Sequence, residues 1–110
     1  RMARSAADAL DKERLAHAAA LAGLLRAHLA QVTGRSSEAL SRLTDVTRQL
    51  DSAGMSLHGE SARRCLGLCM GGDAGALLVA EAEAALCAQG VVDPERFTNM
   101  MVPGFSSRST

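Results

Sequence analysis

The stretch LLRAHLAQVTGRSSEALSRL (residues 24–43) lies over SARRCLGLCMGGDAGALLVA (residues 61–80) with one constant offset. Arg26 falls on Arg63, Leu29 on Leu66, Gly34 on Gly71, Ala39 on Ala76 and Leu40 on Leu77, a shift of 37 residues each time, as from Gly34 to Gly71. A period of about 34 to 47 residues, with small residues at crossings and a glycine at the turn, is the signature of a helical hairpin repeat. Such units bury their apolar faces against one another and not around a catalytic pocket.

Composition agrees. The 110 residues include 21 Ala and 15 Leu, no Ile, Trp or Tyr, and two Phe, Phe97 and Phe105. Ala and Leu favour helix, while the β-branched and aromatic residues that favour strands are scarce. The expected class is therefore all-α, a single helical-repeat domain over 1–105 with a disordered tail at 106–110. Eleven Arg stand against one Lys, Lys12, yet formal net charge is zero. No basic run or aromatic set suits nucleic acid, so none is expected as a partner. No stretch of about 18 apolar residues predicts a membrane span. Three cysteines form no disulfide framework, which points to a reducing cytoplasm. The chain opens at Arg1 and reads as a piece of something longer.

Helical spacing predicts five helices, over about 5–33, 37–53, 57–70, 74–89 and 94–101. In the first, Ser5 and Asp8 resemble a capping box. Leu10, Leu15, Ala18, Leu21, Ala22, Leu25, Leu29 and Val32 form its expected inward stripe, with Gly23 as a candidate kink. In the second, Ser36 or Ser37 is the expected cap, and Leu40, Leu43, Val46, Thr47 and Leu50 face inward. Ala62, Leu66 and Cys69 are the core candidates of the third. Asp73 is the expected cap of the fourth, with Leu77, Leu78, Ala84 and Leu86 inward. Asp93 caps the fifth with Pro94 at its first position. Gly34, Gly54 and Gly90 are helix stops. Short loops predict antiparallel neighbours, hence two hairpins and a short C-terminal capping helix.

Few groups suggest chemistry. His58, Cys65 and Cys69 share one helical stripe, and with Cys87 or Glu60 they are the candidate metal set. Cysteine is more often a small buried apolar residue, and structural zinc sites pair cysteines on turns. GGDAG (residues 71–75) lacks a P-loop's GxxxxGK[ST] and the strand before it. A Cys65–His nucleophile pair has no orienting partner or oxyanion hole in view. Glu81 and Glu83 are two apart and point to different faces. Met100 and Met101 read as core filling. Arg63 and Arg64, in ARR, read as a solvated edge. No catalytic or cofactor-binding residue is assigned, and no cofactor is expected.

The repeat resembles the tetratricopeptide family in a degenerate form. Gly34 matches its mid-repeat turn glycine, Ala39 the small residue early in the second helix, and Ala27 the small crossing residue of the first. The second copy keeps Gly71 and Ala76 but carries Arg64 in place of Ala27. The aromatics of both helices are absent, a departure from the family's peptide-binding groove. A likeness covering more of the chain runs from LAGLLRAHLAQVTGRSSEAL through GMSLHGESARRCLGLCMGGDAGALLVAEAEAALCAQGVVDPERFTNMMVPGF. It is similar to the C-terminal end of large bacterial signalling proteins, serine/threonine kinases or signal-transducing NTPases followed by tetratricopeptide-like arrays. QGVVDPERFTNMMVPGF (residues 89–105) is its most specific part. The resemblance implies catalytic domains upstream and no catalytic residue here.

The expectation is a non-catalytic helical-repeat module in a cytoplasmic bacterial signalling protein, docking a protein or another part of its own chain. Arg26, Ala30, Arg63 and Gly67 are its candidate interaction surface, and Phe97 and Phe105 its cap. Two alternatives differ in class. One is a small metal or redox module on His58, Cys65, Cys69 and Cys87, and the other is an obligate helical oligomer.

Overall fold

The computed structural model describes residues 2–102, with side chains from residue 5 onward. Phe105 and the tail at 106–110 lie outside the described residues. The described chain is all-helical: α1 (Met2–Val32), α2 (Ser36–Ser52), α3 (Ser56–Met70), α4 (Gly72–Ala88) and α5 (Pro94–Met101), with no strand among the described residues. α1 packs on α2, α2 on α3 and α3 on α4, and α5 lies against α3 and α4.

Three helices end in the same hydrogen-bonded motif. Met55 N–H donates to the Leu50 carbonyl at 2.9 Å and Gly54 N–H to Asp51 at 3.1 Å. Val91 donates to Leu86 and Gly90 to Cys87, each at 3.0 Å, and Arg35 to Ala30 at 2.8 Å with Gly34 to Gln31 at 3.2 Å. This is the Schellman pattern, which needs a left-handed residue just past the helix. Gly34, Gly54 and Gly90 supply it at φ of 77°, 74° and 95°. The three stops read from the sequence are the three places where the chain turns this way.

Helix starts differ from expectation. Among the described helix starts, α2 to α5, only α5 has a side-chain cap, Asp93 accepting from Arg96 N–H at 3.1 Å, with Pro94 at the first position as predicted. α1 already runs at Met2, so Ser5 and Asp8 lie inside it and form no capping box; the alanines around them sustain the helix. Arg35, not Ser36 or Ser37, precedes α2, with no side-chain cap. The tight turn consumes Arg35 N–H in the Schellman bond and makes Ser36 the first helical residue. α4 begins at Gly72, one residue after α3, so Asp73 sits in its first turn and the junction is Gly71 at φ 68°. There its carboxylate still favours the positive helix end.

That shorter junction alters the repeat. α2 and α4 are both 17 residues long, and their starts, Ser36 and Gly72, are separated by 36 residues, not 37. A one-residue slip turns a helix by about 100°. Ala39 is accordingly buried, while Ala76 and Leu77, its sequence-aligned counterpart and neighbour, are exposed.

The core joins Ala20, Leu24, Ala27 and Ala30 of α1 to Ala39, Leu43, Val46 and Leu50 of α2, Ala62 and Cys65 of α3, and Val102 beyond α5. In α2 the expected Leu43, Val46, Thr47 and Leu50 are buried, with Ala39 in the place expected for Leu40, which is half-buried. In α3, Ala62 is buried but Leu66 and Cys69 are half-buried. α4 buries Leu86 as expected, together with Gly75 and Ala82, whereas Leu77 and Ala84 are exposed and Leu78 is half-buried.

The largest departure is α1. Its expected inward leucines face solvent, and its small residues face α2. The helix runs unbroken through Gly23, whose role is close approach: a Cβ there would come within 2.8 Å of Val46 Cγ2. α3 and α4 meet more tightly still, because a Cβ on Gly67 would lie 2.7 Å from the Gly75 carbonyl oxygen. Backbone cannot yield as a flexible side chain can, so Gly67→Ala should cost about 1 to 3 kcal/mol by overpacking. Urea unfolding followed by circular dichroism measures this, and an unchanged midpoint would contradict so close a crossing.

Candidate docking surface

α1 spans about 46 Å, at 1.5 Å per residue. Its first half extends past the fold, with residues 5–16 exposed without exception. Leu10, Leu21, Leu25, Leu29 and Val32 are between 45% and 60% exposed. At about 100° per residue they fall within one arc of roughly 100°. The buried Ala20, Leu24, Ala27 and Ala30 centre roughly 140° away on the same cylinder. α1 thus carries a second apolar stripe that its own fold leaves uncovered, continuous over Leu21, Leu25, Leu29 and Val32 and separated from Leu10 by Arg14 in the same arc. An exposed apolar stripe of this kind marks a candidate interaction site.

The interaction residues expected from sequence divide. Arg26 is exposed and lines two adjoining hollows of about 310 and 300 Å³ along the α1–α2 seam, both shared with Arg42. Ala30 and Gly67 are buried at helix seams, with Ala30 contributing to the wall of the first hollow. Arg63 is half-buried and held, with Nη2 2.5 Å from Asp51 and Nη1 2.7 Å from Glu60. Burial opposes its charge, but hydrogen bonds and attraction from Glu60 and Asp51 outweigh that and raise its pKa above the ordinary value. The cap residue Phe97 is half-buried; the fully buried groups of this segment are Thr98 and Val102. Val102, Met101, Leu21, Leu24, Leu25 and His28 line an apolar groove of about 200 Å³ where the C-terminal segment meets α1.

The candidate metal set is not assembled. Among the described residues no three His, Cys, Asp or Glu groups come together as a metal site. Cys65 is buried, Cys69 half-buried and Cys87 exposed on α4. Burial, then the neighbouring Cys69, pushes the Cys65 thiol up to about 12, with Arg64 opposing. Burial raises Cys69 and lowers His58. These are inert thiols, the opposite of an activated nucleophile. An alkylating reagent at pH 8 should modify Cys87 rapidly and Cys65 only on unfolding, as read by mass spectrometry of digested protein. The unfolded thiol ionises near its ordinary value of 9.0 while the folded one holds its proton to about 12. Between those values the unfolded state binds fewer protons, so stability falls as pH rises through that window.

One polar group missed by sequence reading is Arg64. ARR reads as a solvated edge, yet Arg64 is 4% exposed, with Nε 2.9 Å from Glu83 Oε2. Its Nη1 is buried without a partner, as is Thr98 Oγ1. Its place in the repeat, that of the buried Ala27, was the available signal. The signal for the α1 stripe was equally present: Ala16, Ala20, Gly23, Ala27 and Ala30 repeat at three- and four-residue spacing. Arg64 is buried while Glu83 stays partly exposed, and removing the partner of a buried charge costs more than replacing that charge by an apolar chain of similar shape. Glu83→Ala should therefore destabilise by about 2 kcal/mol, and Arg64→Met by less than about 1 kcal/mol. Thermal unfolding of both variants checks the order, and the reverse order contradicts it.

No protein-family model, curated protein or solved structure matches this chain. No described helix is long and apolar enough to cross a membrane.

Proposed function

We propose that this chain is a non-catalytic helical-repeat module that docks a protein, or another part of its own parent chain, through the leucine face of α1. The observation that carries this reading is the second, uncovered apolar face of α1, at Leu10, Leu21, Leu25, Leu29 and Val32. A tetratricopeptide-like arrangement of antiparallel hairpins is supported by pairs that run in opposite directions along neighbouring helices. Gly67 meets Val79, Arg64 meets Glu83 and Ser56 meets Gln89 across α3 and α4. Gly23 meets Val46, and His17 meets Ala53, across α1 and α2. In such an array the outer face of the first hairpin is where a further repeat or partner packs. The likeness to the ends of bacterial signalling proteins favours a cytoplasmic signalling context and a protein partner. No turnover is assigned to the module.

The test pairs a surface readout with a stability readout. Leu25→Glu/Leu29→Glu, at sub-micromolar protein, should lose more than half of the fluorescence of an apolar dye. Its thermal midpoint should stay within about 4 °C, because exposed substitutions change stability by about 0.5 kcal/mol or less. An unchanged dye signal, or a collapse of the fold, would mean that these leucines are not the docking face.

A further inference from the structure

The leucine stripe has one basic flank and one apolar flank. From Arg14 to Ser37 the chain carries Arg14, Arg26 and Arg35 and no Asp or Glu, although its formal net charge is zero. Arg26 stands three residues before Leu29, and the two share the hollow of about 310 Å³ with Arg35, Glu38 and Arg42. Glu38 is the single carboxylate lining it, with Oε2 3.0 Å from Arg42 and Oε1 3.7 Å from Arg35. The adjoining hollow adds Asp45, which Arg48 holds at 2.7 Å. Among the described residues neither Arg14 nor Arg26 forms an ion pair. Three arginines around one carboxylate leave this flank positive, and Arg14 continues the same sign along the line of the leucines. On the other flank Leu21, Leu25 and His28 share a groove with Met101 and Val102. Leu21 to Val32 spans about 17 Å, three helical turns.

Resting on the docking role of the leucine face, we propose that its occupant is an amphipathic helix of a protein partner, with carboxylates along one flank. Its apolar stripe covers Leu21, Leu25, Leu29 and Val32, and its carboxylates meet Arg26, Arg35 and Arg42. Those four apolar residues have the three- and four-residue spacing at which one helix anchors another. Guanidinium groups take carboxylates in a two-pronged geometry, which fixes the rotation of the incoming helix. Exposed rim charges act chiefly on partner choice and association rate, so the leucines supply affinity and the arginines selection. A helix that lies on an anionic bilayer is basic across its polar face. The arm of α1 instead mixes Asp8, Asp11 and Glu13 with Lys12, so the charge pattern favours a protein over a membrane.

Fluorescence anisotropy on the 110-residue chain tests this with two synthetic helical peptides. They share one leucine stripe, and one has glutamate and the other lysine along a single flank. The glutamate peptide should bind about tenfold more tightly, and its affinity should fall as salt rises. Arg26→Glu/Arg42→Glu should erase that preference at unchanged helicity by circular dichroism. Leu25→Gln/Leu29→Gln should abolish binding of both peptides. Equal or tighter binding of the lysine peptide, or a preference that survives the arginine reversal, overturns the acidic helix. Binding to phosphatidylserine vesicles that depends on the same arginines, with neither peptide bound, overturns it in favour of a membrane. If both peptides bind equally and the leucine variant abolishes both, docking stands with an occupant of different charge. If neither peptide nor vesicles bind while the leucine face still takes up dye, the acidic helix alone falls. Peptide binding that survives the leucine variant overturns both readings.

Discussion

The contact on which this structure rests is the approach of small residues across the helix seams. Gly23 against Val46 fixes α1 on α2, and Gly67 against Gly75 and Val79 fixes α3 on α4. Alanine and glycine bury little area each, but they bring backbones close, so packing density is recovered along the whole seam. Their geometry sets the rotation of each helix about its own axis. In α1 that rotation is decisive, because it turns Ala20, Leu24, Ala27 and Ala30 inward and leaves Leu10, Leu15, Leu21, Leu25, Leu29 and Val32 outward. The exposed leucine face is a consequence of the seam. Any partner would be recruited to apolar area that the fold itself leaves uncovered.

The second half of the chain solves the same packing problem with different chemistry. Where α1 has Ala27, α3 has Arg64, which buries its guanidinium and reaches Glu83 on α4. With Arg64 buried and Glu83 partly exposed, the pair adds little net stability but penalises any arrangement that leaves the guanidinium without its partner. It holds the register of α4 after the single-residue junction at Gly71. Around it lie a protonated Cys65 and the unpartnered Thr98 hydroxyl.

The helical class was legible because it depends on composition and spacing, and the ends were legible because Gly34, Gly54 and Gly90 each occupy a left-handed position that glycine accepts at least cost. The fifth helix was legible to the residue, since Asp93 and Pro94 state its start locally. What escaped was rotation. Leu10, Leu21, Leu25 and Leu29 form a regular apolar stripe, and so do Ala20, Ala27 and Ala30; spacing alone ranks leucine first on hydrophobicity. The choice is made by tertiary contact, where the facing residues of α2 accept alanine and glycine at a distance that leucine would forbid. The candidate metal set failed for a related reason. His58, Cys65 and Cys69 share a stripe in sequence, but packing places them at different depths.

The rotation of α1 is the central claim, and leucine methyl resonances report it directly. With methyl-labelled protein at low concentration and a soluble paramagnet, Leu21, Leu25 and Leu29 should broaden strongly, while Leu24, Leu43 and Leu50 remain sharp. Protected Leu21 and Leu25 beside a broadened Leu24 would mean that α1 packs through its leucines, and the small-residue seam would not be what orients it.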